Sequence, residues 1–162
     1  MKSILVLSLL FISLTSTAQD SLQSARLKSL QGKIAPFSVF AKKDSLFLIC
    51  FWSANSEECI TELNSINANL EKWQSLAPFR FMAVYVDDGK TSGKMRQTYN
   101  MNGWTFDSFW DLYGDLRRVL HSNNLPQSMI IYKNRVIYEQ SGWTDGTENY
   151  LIERMVSLKK NG

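Results

Sequence analysis

The sequence predicts one α/β domain in which helices cover both faces of a mixed β-sheet. Leu46–Trp52 is a continuous apolar run of strand length, which is typical of a central strand buried on both faces. The apolar period becomes helical after Ser56, and a second apolar run follows at 79–86, which indicates a β-α-β crossover. Two short apolar runs within 129–140 then predict an antiparallel hairpin ahead of a final helix.

The length and composition are those of a single globular domain. Of the 162 residues, 44% are apolar, which is enough for one core but not for two ordinary domains. The net charge of +3 comes from dispersed Lys and Arg side chains that are not interleaved with aromatic residues. No nucleic-acid partner is therefore expected. We also predict that the protein is a monomer.

Residues 1–18 have the pattern of a secretory signal peptide. A charged start precedes an apolar stretch at 4–14, and small residues lead to Ala18, after which cleavage is expected. The apolar stretch is too short to span a membrane, so no stable membrane anchor is expected. We predict an exported, periplasmic chain with a lead-in at 19–32 and a folded domain at 33–160.

The N-terminal part of the chain contains one segment of undecided structure and one predicted strand. Residues 20–30 are compatible with either a short helix or an extended lead-in, and the pattern does not choose between them. Residues 36–40 alternate apolar and polar side chains, which predicts a half-buried strand. Leu46–Trp52 is then expected in the middle of the sheet.

The helix after this strand has a clear start. Ser56 is a suitable N-cap, and Glu57 and Glu58 fall in the first turn, where carboxylates interact favourably with the helix dipole. Residues at helical spacing define one face of this helix: Ile60, Leu63, Ile66 or Asn67, Leu70 and Trp73. The helix is long enough to connect two parallel strands.

The second half of the chain alternates short helices with strands. Residues 94–101 and 115–121 predict two short helices, separated by an aromatic segment at 104–110. The hairpin within 129–140 turns near residues 133–135. Thr147 can cap a last helix, whose buried face would be formed by Leu151, Ile152, Met155, Val156 and Leu158.

Few side chains outside the first strand-helix junction suggest chemistry. His121 is the only histidine, and it is predicted to be a surface residue at a helix end. One histidine and two separated cysteines do not form a zinc-binding spacing, so no metal is expected, and no cofactor is expected either.

The order of elements and one motif resemble the thioredoxin family. In its exported TlpA-type members, Phe-Trp is followed by Cys-x-x-Cys and then by a glutamate three residues later. Phe51 and Trp52 match the aromatic pair, Cys59 matches the second cysteine and Glu62 matches the acid. The resemblance covers about residues 34–155 and implies a three-layer thioredoxin fold in a relative of thiol-disulfide oxidoreductases.

The sequence departs from the family at the attacking residue. Ser56 falls on the position of the first cysteine, so the motif is Ser-Glu-Glu-Cys. A serine hydroxyl stays protonated at neutral pH and cannot form the mixed disulfide through which exchange proceeds. The ordinary dithiol cycle is therefore not expected.

Cys59 on its own is expected to be a poor nucleophile. It lies one turn into the helix, where burial disfavours a thiolate, and Glu57, Glu58 and Glu62 add negative charge around it. The helix dipole opposes these effects by about 0.3–1 kcal/mol, which is no more than the carboxylates cost.

Cys50 adds a further hypothesis. Its strand position is the one that carries a polar or acidic residue beneath the second cysteine in many relatives, so Cys50 and Cys59 are expected to be neighbours. They either form a disulfide or pack as two buried thiols.

The resemblance also places a groove beside the motif. Leu125 and Pro126 fall on the family's cis-proline loop, which would face Trp52 and Ser56. The first functional hypothesis is a peptide-binding, protein-binding or redox-accessory module whose groove pairs with the backbone of a partner. The second hypothesis is a weak or unconventional thiol-disulfide oxidoreductase that uses Cys59, alone or with Cys50, with Glu62 tuning the thiol.

Overall fold

The computed structural model describes residues 21–42, 45–87 and 92–161. The predicted signal peptide at 1–18 lies outside these ranges, so it stays a prediction, as do the domain boundaries. Within the described ranges, no helix is both long enough and apolar enough to cross a membrane.

A helical turn at 21–24 precedes the regular elements. These elements are β1 (Arg26–Ser29), β2 (Ile34–Pro36), α1 (Phe37–Phe40), β3 (Leu46–Trp52), α2 (Glu57–Leu76), β4 (Arg80–Tyr85), α3 (Ser92–Met101), β5 (Asp107–Trp110), α4 (Asp115–Val119), β6 (Gln127–Tyr132), β7 (Arg135–Ser141) and α5 (Thr147–Asn161).

The strands form one seven-stranded sheet in the order β2-β1-β5-β4-β3-β6-β7. The inner strands β3, β4 and β5 are parallel, and the remaining neighbours pair antiparallel. Six of the seven residues of β3 are buried, because β4 and β6 flank this strand and helices cover both of its faces. The predicted mixed α/β architecture is confirmed.

The two faces of the sheet carry separate cores. On the α2 face, which α2, α3 and α5 cover, Cys50 and Trp52 of β3 pack with residues such as Leu63. On the α1 face, which α1 and α4 cover together with the turn at 21–24, Ile49 and Phe51 pack among apolar side chains. This division follows from the alternation of side chains along a strand.

Most predicted elements are confirmed within a few residues. The long helix begins directly after Ser56 and ends at Leu76. The hairpin forms from β6 and β7, and its turn residues Lys133 and Asn134 have φ values of 48° and 61°. Positive φ at both central positions is what a type I′ two-residue hairpin turn requires.

The strand predicted at 36–40 is wrong. Only Pro36 belongs to a strand, and Phe37–Phe40 forms a single helical turn instead. In this turn Phe37 packs on Phe47 and Phe40 packs on Phe109, whereas Val39 is 54% exposed. The same residues satisfy both periods, and contact with the α1-face core selects the helical one.

The sheet also includes strands that the sequence did not specify. Residues 20–30, which the pattern left open, contain both the helical turn at 21–24 and β1. Strand β1 pairs antiparallel with β5, with Lys28 opposite Trp110. β5 itself lies inside the predicted aromatic segment, where large side chains obscured its alternation.

Candidate functional site

The candidate site lies where β3 ends and α2 begins. In the turn between them, the amide of Asn55 donates to Ser53 Oγ at 3.1 Å, and the amide of Ser56 donates to the Ser53 carbonyl at 3.3 Å. Ser56 has extended backbone angles, and its Oγ accepts a hydrogen bond from the Cys59 amide at 3.3 Å. Ser56 is therefore the N-cap of α2, as predicted.

Cys59 is fully buried one turn inside α2. Burial raises the pKa of its thiol, and the charges of Glu62 and Glu58 raise that pKa further. Hydrogen bonds with the Ser56 side chain and the Ser53 backbone oppose the rise without reversing it. The thiol is thus protonated at neutral pH and shielded from solvent, which makes it a poor nucleophile.

Cys50 lies beside the carboxyl group of Glu62. Both cysteines are free thiols, and Cys50 Sγ donates to Glu62 Oε2 at 3.2 Å. Burial raises the pKa of Cys50 well above its ordinary value, and the negative charge of Glu62 adds to this. A disulfide with Cys59 remains a hypothesis for the oxidised protein.

Glu62 links this thiol to a serine on the neighbouring strand. Glu62 is 1% exposed, and Ser128 Oγ donates to its Oε1 at 2.8 Å. Burial raises the pKa of Glu62, the bonds from Ser128 and Cys50 oppose that rise, and the charge of Glu148 adds to it. Cys50, Glu62 and Ser128 form one hydrogen-bonded group, which we call the Cys50 cluster.

Sequence reasoning missed Ser128. The register of β3 with β6 sets Ser128 directly opposite Cys50, so the two side chains share the α2 face. The available signal was a serine directly before the apolar residues Met129, Ile130 and Ile131 of the strand. The charge of Glu62 acts on Cys59, and its direct hydrogen bonds go to Cys50 and Ser128.

The loop before β6 lies beside the motif. The Leu125–Pro126 peptide bond is cis, Leu125 is half-buried, and Pro126 is buried. The last pair of the ladder joins Phe51 to Gln127, so Trp52 and Pro126 lie one step beyond it. The Pro126 carbonyl accepts a hydrogen bond from the Gly142 amide at 2.8 Å.

Trp52 belongs to the core on the α2 face. Its side chain is fully buried, with its ring 5.0 Å from that of Tyr85 and 5.2 Å from that of Trp104, both edge-on. Its Nε1 has no hydrogen-bond partner among the described residues. Of the predicted groove residues, Ser56 and Leu125 are the partly exposed ones.

The remaining candidate residue lies in another part of the chain. His121 is exposed two residues after α4, has a φ of 53°, and donates its amide to the Arg118 carbonyl. Within the part of the chain that the structure describes, no three histidine, cysteine or carboxylate side chains are grouped to hold a metal ion.

No protein-family model matches the chain, and no curated protein matches it. Solved structures do match. An uncharacterized thioredoxin-like protein from Porphyromonas gingivalis is 28% identical, with a TM-score of 0.74, over 88% of this chain and 94% of that chain. A protein from Chlorobium tepidum described as a thiol:disulfide interchange protein DsbE is 20% identical, with a TM-score of 0.69, over 82% and 90%.

A secreted disulfide oxidoreductase from Mycobacterium tuberculosis is 14% identical, with a TM-score of 0.65, over 85% of this chain and 98% of that chain. The last two similarities are informative about fold alone. Together these structures show that the chain has the thioredoxin fold, which it shares with thioredoxin-like thiol-disulfide oxidoreductases.

Proposed function

We propose that this protein is a TlpA-like thioredoxin-fold module that binds a peptide or protein segment and lacks the ordinary dithiol cycle. The observation that carries the proposal is the position of Ser56 at the N-terminus of α2, where the TlpA-type pattern has its attacking cysteine. Its hydroxyl caps the helix and cannot form a mixed disulfide. Cys59, which occupies the position of the family's second cysteine, is buried and protonated.

The binding surface would be the groove between Ser56 and Leu125. Both residues are partly exposed, whereas Trp52 and Pro126 are buried behind them. An extended segment can pair with backbone groups beside such a loop whether or not a nucleophile is present. Loss of the attacking cysteine is therefore compatible with retained binding.

Site-specific photo-crosslinking tests the binding groove. A photo-reactive residue at Leu125 should give discrete adducts in cells that produce the full chain. The same residue at Leu76, which is 51% exposed at the far end of α2, should not. Equal adducts from both positions, or none from Leu125, would contradict binding at this groove.

An insulin-reduction assay tests the missing dithiol cycle. Wild-type protein should give no turnover, Ser56→Cys should restore measurable reduction, and Ser56→Ala should stay inactive. The expected gain arises because a cysteine at the helix N-terminus would supply an exposed thiolate. Wild-type turnover that disappears in Cys59→Ala would overturn this part of the proposal.

A weak redox activity through both cysteines is the second candidate function. It is favoured by the hydrogen bond from Cys50 Sγ to Glu62, since that carboxylate can accept the thiol proton. A Cys59 thiolate would attack an external disulfide and release one thiol. Cys50 would then attack Cys59, form the intramolecular disulfide and release the second thiol, so that the external disulfide is reduced.

Mass measurement after alkylation distinguishes the two candidates. The oxidised protein would carry no modified thiols before reduction and two after it. Unfolding the protein during labelling makes both buried thiols reachable. Two modified thiols without reductant, after exposure to oxidised glutathione, would exclude the disulfide.

Export to the periplasm is part of the same proposal. It is supported by the signal-peptide pattern of residues 1–18, and a relative of the same fold is a secreted protein. The mature protein isolated from the producing bacterium should begin at Gln19, as N-terminal sequencing would measure. A chain that retains its first residues in the cytoplasm would contradict export.

A further inference from the structure

A separate cavity of about 460 Å³ lies between β1, the end of β5 and α3. Its volume is within the range of small-molecule sites, about 300–1,000 Å³. The polar and aromatic residues that line it are Lys28, Ser29, Arg96, Gln97, Asn100 and Trp110. None of these residues belongs to the groove or to the Cys50 cluster, so the cavity is independent of the proposed function.

The charges of the cavity have one sign. Lys28 and Arg96 are cationic, and none of the described residues that line the cavity is acidic. The Lys28 ammonium lies over the Trp110 ring, 5.6 Å from its centroid, and Arg96 Nη2 donates to the Leu30 carbonyl at 2.5 Å. These contacts hold both cations at the cavity wall.

One wall of the cavity is apolar. Trp110 is 6% exposed, and its Nε1 donates to the Asp87 carbonyl at 3.3 Å, which fixes the orientation of the indole ring. Met95 and Leu30 add apolar surface. The amide side chains of Gln97 and Asn100 supply N–H donors beside this wall.

The position in the sheet also suits a ligand. Trp52, Tyr85 and Trp110 lie side by side at the carboxyl ends of the three parallel strands. Open α/β sheets bind ligands outside this edge. Lys94 Nζ donates to Asn55 Oδ1 at 3.0 Å, so α3 contacts the turn of the candidate site.

We propose that this cavity binds a small organic anion, an aromatic carboxylate, with its charged group on Lys28 and Arg96 and its ring against Trp110. Two cations, with no acidic side chain among the described residues that line the cavity, favour an anion over a neutral or cationic ligand. The apolar wall favours an organic anion over a purely inorganic one, because only the former buries apolar surface there.

A titration monitored by ¹H-¹⁵N NMR of the mature chain tests this inference. Sodium benzoate should shift the amides of residues 28–30 and 93–100 and the Trp110 indole signal. Neutral benzamide and inorganic phosphate should each bind at least about threefold more weakly, because each lacks one half of the recognition.

Charge variants locate the binding site. Lys28→Gln and Arg96→Gln should each weaken benzoate binding by about three- to tenfold, while Lys72→Gln, an equal charge change on exposed α2, should leave it unchanged. Lys28→Gln preserves the bond from Arg96 to Leu30, so it tests the proposal even if Arg96→Gln disturbs the fold.

Three results would overturn the inference. These are unchanged benzoate affinity in Lys28→Gln, chemical-shift changes confined to other residues, and equal binding of benzoate and benzamide. Phosphate binding as tight as benzoate binding would reject the aromatic part of the ligand. All of these outcomes are independent of insulin reduction and of crosslinking at Leu125.

Discussion

The two faces of β3 differ in kind. Ile49 and Phe51 point to the α1 face and pack among apolar side chains. Cys50, between them, points to the α2 face, where its thiol meets the carboxyl group of Glu62 and, through it, the hydroxyl of Ser128. This strand therefore contributes only apolar side chains to the core on the α1 face, whereas on the α2 face it contributes a thiol to a buried polar cluster.

The apolar side chains on the α1 face stabilise the fold, whereas the buried polar groups on the α2 face reduce its stability and could support chemistry. Burial of apolar surface on the α1 face stabilises the fold directly. On the α2 face, burial raises the pKa of Glu62, which means that the fold disfavours its charged form, and two hydrogen bonds recover part of that cost. Such costly buried groups are found more often at functional sites than elsewhere.

The largest expected effect is on the apolar face. Phe51→Ala should lower the free energy of unfolding by about 3–5 kcal/mol, because it removes a fully buried ring and leaves a cavity. Urea unfolding followed by circular dichroism measures this. Phe51→Leu should lower the free energy of unfolding much less. A loss below about 2 kcal/mol for Phe51→Ala would contradict the proposed difference between the two faces of β3.

A smaller loss is expected in the Cys50 cluster. Ser128→Ala should cost about 1–3 kcal/mol, because Glu62 Oε1 loses its buried donor. Ser75→Ala removes an exposed hydroxyl that bonds to the Lys72 carbonyl, and the expected change is within about 0.5 kcal/mol. The same urea experiment compares the two, and equal losses would show that burial of the hydrogen bond is unimportant.

The pH dependence of stability tests Glu62. Its folded pKa is raised by burial, so the folded state holds the proton more tightly than the unfolded chain. Stability should therefore fall as pH rises from the ordinary glutamate pKa, about 4.3, to the raised value. In Glu62→Gln this part of the slope, at most about 1.36 kcal/mol per pH unit, should disappear.

Asp111 serves as an internal reference in that experiment. Burial raises its pKa as well, so it contributes a slope of the same sign to both proteins. The difference between wild type and Glu62→Gln consequently reports on Glu62. Identical pH profiles from about pH 4 to 8 would reject the buried carboxylate as a source of instability.

The smallest effect concerns the thiol donor. Cys50→Ser keeps a donor toward Glu62 Oε2 and should cost less than about 1 kcal/mol, whereas Cys50→Ala should cost about 1 kcal/mol more than the serine variant. Thermal unfolding at neutral pH ranks the two. If alanine is as stable as serine, then the Cys50–Glu62 hydrogen bond contributes nothing to the fold.

Much of the fold could be predicted because its signals are local. The apolar run of β3, the cap at Ser56 and the turn at Lys133 and Asn134 each depend on neighbours within a few residues. The helical turn Phe37–Phe40 could not be predicted, since its residues satisfy a strand period as well. Only contact with Phe47 and Phe109 decides between the two.

The candidate site divides in the same way. The sequence by itself determined that Ser56 caps the helix and that no cysteine stands there, because both properties belong to one residue and its local backbone. Only the tertiary structure determined that Glu62 accepts hydrogen bonds from Cys50 and Ser128. Ser128 lies 66 residues from Glu62, and the register between β3 and β6 brings them together. Register depends on the packing of whole strands, which a local pattern does not contain.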